Sequence, residues 1–133
     1  MEKTDSQSLN TLATLFKDKW NITLHTYDDI FNRTDCWFDW KEQSFDVEVK
    51  RRRFDSHKYP TTIINYEKYK ELVKRKAILV VMFDDKWGIL KNVRSGYLRT
   101  TPMYAKSTTD WDGEYRWSNK VELNLDSFTW YEY

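Results

Sequence analysis

Apolar positions recur along this chain with two different periods, and the changes from one to the other divide it into elements. From Ser6 to Lys19, Leu9, Leu12, Ala13 and Phe16, with Trp20 just beyond, fall at helical spacing. This predicts an amphipathic helix lying on an apolar surface. "NITLHTY" after it reads as a short strand and "DDIFNRTD" as a polar loop. "DCWFDWKEQSFDVEVK" then alternates with a period of two, which predicts a half-buried hairpin turning near Lys41 to Ser44. A turn centred between Glu42 and Gln43 sets Phe45 opposite Trp40, Val47 opposite Phe38 and Val49 opposite Cys36 on one apolar face. On the other face Asp46 meets Asp39, Glu48 meets Trp37 and Lys50 meets Asp35.

"TTIIN" reads as another short strand. Asn65 is a helix cap, and Tyr66, Tyr69, Leu72 and Val73 are the buried stripe of the helix it starts. Ala77 to Phe83, "AILVVMF", is apolar without interruption, as expected of a central strand covered on both faces. After a turn at Asp84, Asp85 and Lys86, "WGILKNV" returns as its neighbour. Residues Arg94 to Asn119 read as loop-rich, and "VELNLDSF" as a late edge strand. No repeat or linker interrupts the order, which predicts one α/β domain over residues 1–133 built on a mixed β-sheet flanked by helices.

Composition narrows this picture. Aromatic residues make up 17% of the chain, and glycine and proline are scarce, which argues against disorder and favours a substantial core. Cys36 is the only cysteine, so an internal disulfide and a cysteine-rich zinc site are excluded, and its place on the apolar face predicts a core residue. No apolar run reaches the length of a membrane span, and the first ten residues lack a signal peptide's apolar segment, so a cytoplasmic protein without membrane contact is expected. The net charge of +1 leaves any case for nucleic-acid binding to local clusters.

The polar face of the hairpin is such a cluster. Asp35, Asp39, Asp46, Glu48 and Lys50 project from one side. Carboxylates on adjacent strands repel, and their hard oxygens suit Mg²⁺ or Mn²⁺. A neighbouring lysine adds the charge that phosphodiester cleavage calls for, and Lys50 to Arg53, with His57 and Lys58 beyond, supply phosphate-binding charge. Lys68, one turn into the second helix, is placed to reach the same site. Trp37, set beside Glu48, is a candidate for stacking on a base, whereas His25 and His57 read as ordinary surface histidines.

Asp35 followed by Glu48-Val49-Lys50 resembles the PD-(D/E)XK nuclease superfamily, in which an aspartate on one strand is followed, after a hairpin, by an acid, any residue and lysine. The separation here is 13 residues. "EVKRR", "NYEKYKEL" and "AILVVMF" follow in the order of the small resolvase-like and phage members. The resemblance covers about Asp35 to Leu90 and implies a restriction-endonuclease-like fold. It also implies a Mg²⁺-dependent (or Mn²⁺-dependent) endonuclease acting on DNA, branched or structured DNA included, and leaving 5′-phosphate and 3′-hydroxyl ends. Asp35, Glu48 and the Val49 carbonyl would hold the metal, Lys50 would act on the attacking water, and Arg51, Arg52, Arg53, Lys58 and Lys68 would contact nucleic acid. Thr34 stands where the family often has proline, and Asp39 competes with Asp35 as the first acid. The first helix lacks the glutamate that many members place there, for which Asp28 or Asp29 is a substitute. Cutting both strands of a duplex with so small a domain would call for a homodimer. The alternative is a non-catalytic protein of the same fold, engaging nucleic acid through Arg51 to Arg53 or a protein through its aromatic-rich tail. A small single-strand-binding barrel fits poorly with the unbroken strand at Ala77 to Phe83.

Overall fold

A computed structural model of the chain describes residues 5–27, 34–106 and 115–133. Helix α1 (Ser6–Trp20) is followed by strands β1 (His25–Thr26), β2 (Cys36–Trp40), β3 (Gln43–Arg51) and β4 (Thr61–Asn65). Helix α2 (Tyr66–Arg75) precedes β5 (Ile78–Met82), β6 (Trp87–Leu90), β7 (Tyr97–Lys106), β8 (Tyr115–Asn124) and β9 (Thr129–Tyr131). Six strands form a mixed sheet in the order β1-β2-β3-β5-β6-β9, and β4-β8-β7 form a second sheet. The chain is therefore a mixed α/β protein with two helices among the described residues.

The first sheet is covered on both faces, and the sequence shows why. Leu12 and Phe16 of α1 pack on Cys36, Phe38, Val47, Val49, Val80 and Trp87. Complete burial of an aliphatic or aromatic side chain of this size is worth roughly 2–3 kcal/mol. The Asp5 carboxylate accepts the Ser8 N–H at 2.8 Å and starts α1, and Asn21, at φ 55°, stops it. On the opposite face Leu79, Val81 and Phe83 pack against Leu72 of α2 and against Ile64, Val121 and Leu123 of the second sheet. Alternate residues of β5 thus enter two different cores, and that is why its sequence is apolar without a break. Strands β3 and β5 run parallel, with β4 and α2 forming the long crossover such a pair requires.

Four sequence expectations are corrected. The hairpin is paired two residues away from the expected register, with Cys36 opposite Val47, Trp37 opposite Asp46 and Phe38 opposite Phe45. A two-residue turn at Lys41 and Glu42, at φ 49° and 65°, has the backbone twist that suits the flanking strands. An even slip preserves both faces, so the apolar side is the expected one while the partners change. "TTIIN" does form a strand, but it belongs to the second sheet. Residues 97–106 and 115–119, expected as loop, are two strands paired from Tyr97 opposite Leu123 out to Lys106 opposite Tyr115. Polar and aromatic residues on both of their faces hide the alternation. "VELNLDSF" supplies the inner end of β8, the middle strand of its sheet and not an edge, and continues into a 3₁₀ turn at Leu125–Ser127. Residues 107–114, and the "DDIFNR" segment with Asp28 and Asp29, lie outside the described residues. Among the described residues no helix is long and apolar enough to cross a membrane.

The hairpin turn places two ordinary L-residues at positive φ, at a cost of about 1–2 kcal/mol each that glycine or asparagine largely avoids. The double substitution Lys41→Asn and Glu42→Gly is expected to raise unfolding stability by roughly 1–2 kcal/mol, read from urea denaturation midpoints. An unchanged or lowered midpoint would contradict the turn geometry.

Candidate functional site

Even-numbered side chains in the inner part of β3 emerge on the side covered by α2, where Asp46 meets Arg75 and Glu48 meets Lys68. Asp46, Glu48, Lys50 and Arg52 share that side. Asp46 accepts a hydrogen bond from the Tyr27 hydroxyl and faces the Arg75 guanidinium at 3.8 Å. Burial and the Asp46 carboxylate push the Tyr27 hydroxyl up to about 12. This first position is a structural clasp between β3, the chain after β1 and the last turn of α2.

Glu48 is different. It is 4% exposed, and Asp35, in the turn that enters β2, is 6% exposed. The Asp35 N–H donates to the Val47 carbonyl at 3.1 Å, just beyond the Cys36–Val47 pair that ends the hairpin register, and the Asp35 charge lies close enough to act on Glu48. The Val49 N–H donates to Asp35 Oδ2 at 2.8 Å and fixes that carboxylate over the strand. Within a strand the N–H and C=O of one residue point the same way, so the Val49 carbonyl is turned towards the same edge.

Two lysines close the group. Lys50 Nζ lies 3.6 Å from Glu48 Oε2, and Lys68 Nζ, from the first turn of α2, lies 3.5 Å from Oε1. Both lysine side chains are mostly covered, at 22% exposure each. Burial and the charge of Asp35 nevertheless push the Glu48 carboxyl up to about 7, against the opposing pull of Lys68 and Lys50. Cys36, on the other face, is a buried core thiol pushed up to about 12, by burial first and then by Asp35, Glu48 and Asp46. The donor set of two carboxylates and one carbonyl, all hard oxygens, fits Mg²⁺ or Mn²⁺, and a divalent cation would offset the repulsion that raises Glu48.

The remaining residues singled out by the sequence are dispersed. Arg51 bonds the Met82 carbonyl at 3.0 Å and pairs with Asp84, on the α1 side of the sheet. Arg52 donates to the Ile63 carbonyl at 2.6 Å and ties β3 to the second sheet, beside an open groove of about 800 Å³ that Phe54, Tyr59, Ile63 and Leu98 help to line. Arg53 reaches Asp5 at 3.1 Å. Lys58 lies over the Phe54 and Tyr59 rings. Asp39 bonds Ser44 near the hairpin turn. Trp37 faces Asp46 and not Glu48, and stacks on His25 with ring centroids 4.4 Å apart.

Sequence reasoning missed one cluster. Ligand atoms of Asp55, His57 and Asp85 lie within 4.8 Å of one another on the surface. Asp85 accepts both the N–H and the hydroxyl of Ser56, so the group clips two loops together. The Asp-x-His spacing hinted at it, but Asp85 arrives from a turn 28 residues later. Comparison of the chain with protein-family models, curated proteins and solved structures returned no match.

The pH dependence follows from Glu48. Its folded-state value of about 7 exceeds the ordinary 4.5, so the folded protein retains a proton that the unfolded chain releases between those values. Its contribution to stability is complete below pH 4.5 and is lost as pH rises through 7. Glu48→Gln is therefore expected to gain roughly 3 kcal/mol on wild type between pH 4 and pH 8, measured as the difference of two denaturation series. A difference that stays flat with pH would refute the burial argument.

Proposed function

We propose that the chain is a metal-dependent endonuclease that hydrolyses DNA phosphodiester bonds, on a restriction-endonuclease-like core of the PD-(D/E)XK kind. One observation carries this reading: Glu48 of β3 and Asp35, just before β2, are both buried and act on one another, with Lys50 and Lys68 against Glu48. A fold has no architectural need for two repelling buried carboxylates, whereas metal-assisted phosphate chemistry needs that donor set. The acid-hairpin-acid-x-lysine order, followed by a helix and a buried strand parallel to β3, supports the likeness to this superfamily.

On this reading Asp35, Glu48 and the Val49 carbonyl would hold Mg²⁺ or Mn²⁺, which when bound would supply Lewis-acid activation of the phosphate and a water of lowered pKa. Val49 N–H keeps Asp35 in position through its 2.8 Å bond. Lys50 orients the attacking water and balances charge that develops on the phosphate. Lys68 brings a second ammonium from α2, a direction the strand itself does not provide. Arg51, Arg52 and Arg53 make contacts within the fold, so on this reading the phosphate at the reacting centre depends first on the two lysines.

The competing reading is a non-catalytic DNA-binding protein, or a protein-binding inhibitor, of the same fold. It draws on the contacts that Lys50 and Lys68 make with Glu48, which can balance its charge within the fold. Calorimetric titration of Mn²⁺ into wild type, Glu48→Gln and Lys50→Ala, followed by incubation with duplex, branched and single-stranded DNA, separates the two. The nuclease reading expects metal uptake by wild type, its loss in Glu48→Gln, and cleavage lowered at least about a hundredfold in both variants. Wild type that takes up no metal and cuts no substrate leaves the binding protein.

A further inference from the structure

The second sheet is three strands wide only at its inner end. Strand β4 pairs with β8 from Thr61–Asn124 to Asn65–Lys120, whereas β7 and β8 stay paired out to Lys106–Tyr115. Residues 115–119 of β8 and their partners thus form a two-stranded ribbon that runs on past β4 by roughly 17 Å. One side of this ribbon begins in the core, at the fully buried Val121. Continuing outward on that side come Asn119, Trp117 and Tyr115 of β8, with Pro102 and Tyr104 opposite on β7. The side that starts as core therefore ends in three aromatic rings without a core to cover them. Tyr104 is 58% exposed, Tyr115 62% and Trp117 69%. They form a continuous strip, with the Tyr104 centroid 5.8 Å from Tyr115 and 5.5 Å from Trp117.

Their mutual contacts support the ribbon, but among the described residues no core covers them, so packing alone does not call for three large exposed rings. A solvent-facing strip of this kind marks a surface that is covered in use. Its size and place decide by what. The exposed parts of three such rings amount to on the order of 400 Å², about half of the roughly 800 Å² per partner that a stable dimer buries. The same area suits two or three stacked bases. The ribbon leaves the body where the Lys120 ammonium meets Asn65, the residue that caps α2. Three residues into the chain beyond Asn65, Lys68 faces Glu48. The root of the ribbon and the candidate phosphate site are thus joined through the first turn of one helix. Lys68, on that first turn, brings positive charge to the Glu48 end of this connection. An occupant with flat apolar faces and a regularly spaced anionic backbone fits both ends.

We propose that Tyr104, Tyr115 and Trp117 form a stacking platform for unpaired bases of single-stranded DNA whose phosphodiester lies at Glu48. The occupant's identity rests on the nuclease reading, and the platform gives that reading a substrate class: single-stranded DNA, or the unpaired arm of a branched molecule. A blunt duplex hides its base faces in its own stack and offers the rings nothing to cover.

The test is fluorescence anisotropy of a labelled 15-nucleotide oligothymidylate in EDTA, so that binding is read without metal or cleavage. Trp117→Ala and Tyr104→Ala are each expected to weaken binding about tenfold or more, with Trp117→Phe restoring most of it. Melting temperatures should stay near wild type, since the rings are exposed. Blunt duplex should compete at least about tenfold less well than the oligothymidylate. Equal binding by wild type and both alanine variants overturns the platform, even if wild type cleaves DNA with Mn²⁺, in which case the nuclease reading stands alone. Binding lost in Trp117→Ala, from a wild type that cleaves nothing with Mn²⁺, upholds the platform and removes the nuclease. A preference for oligouridylate overturns DNA as the occupant. A wild-type dimer that Trp117→Ala converts to monomer in sedimentation assigns the strip to a second copy of the chain and overturns the proposal.

Discussion

Everything at the candidate site depends on β3 being clamped between an antiparallel neighbour and a parallel one. Strand β3 passes from β2, paired over residues 43–47, to β5, paired over 47–51, so its buried middle cannot release an awkward side chain to solvent by fraying. Each polar residue it carries has to be answered by something brought from elsewhere in the chain. Asp46 is answered by Tyr27 and Arg75, and Arg52 by the backbone of β4. These three contacts come from three segments, and together they set how α2 and the second sheet lie on the first. The polar side of β3 is in this sense the frame on which the outer elements are hung.

Glu48 breaks the pattern of answered charges. Its neighbours include two lysines, yet burial and Asp35 outweigh them and hold its carboxyl near neutrality on the pH scale. The comparison with Asp46, two residues earlier on the same strand, is instructive. Asp46 also faces a cation and a hydrogen-bond donor, but its side chain is 24% exposed where that of Glu48 is 6% exposed. Glu48 is set apart first by its burial and then by Asp35, which Val49 N–H and Val47 C=O lock in place before β2 begins. A backbone that holds a like charge against a buried glutamate stores an electrostatic cost, and such costs gather where a cation or a proton is meant to arrive.

Much of this was legible in the sequence, for identifiable reasons. The face assignment of the hairpin survived a register error of two residues, because side chains alternate with a period of two. The register itself was missed because neither Lys41 nor Glu42 advertises positive φ, as Asn-Gly would have done. Strand β5 was legible because complete burial on both faces leaves only apolar residues. Lys68 was legible through its place one turn after the Asn65 cap. Strand β7 and the outer half of β8 were not, since a ribbon with solvent on both sides has no apolar–polar contrast to write into its sequence. Asp85 was hidden for another reason: it joins Asp55 and His57 only through tertiary proximity.

The arginine run shows how a local charge pattern in the sequence is divided by the fold. Arg51, Arg52 and Arg53 look like one basic patch in the sequence. Successive side chains of an extended strand point to opposite faces, so the patch divides as soon as it folds. Arg51 turns to the α1 side and Asp84, Arg52 to the second sheet, and Arg53 to the acid that caps α1. Three like charges in succession are tolerable because each is answered by a different partner in a different direction. Positive charge at the buried carboxylates comes instead from residues 18 apart, Lys50 on the strand and Lys68 on the helix. Convergence of distant cations on one buried acid is harder to obtain than a run of neighbours. It constrains the crossover from β3 to α2 to one geometry, and it ties the chemistry proposed for Glu48 to the same connection from which the aromatic ribbon departs.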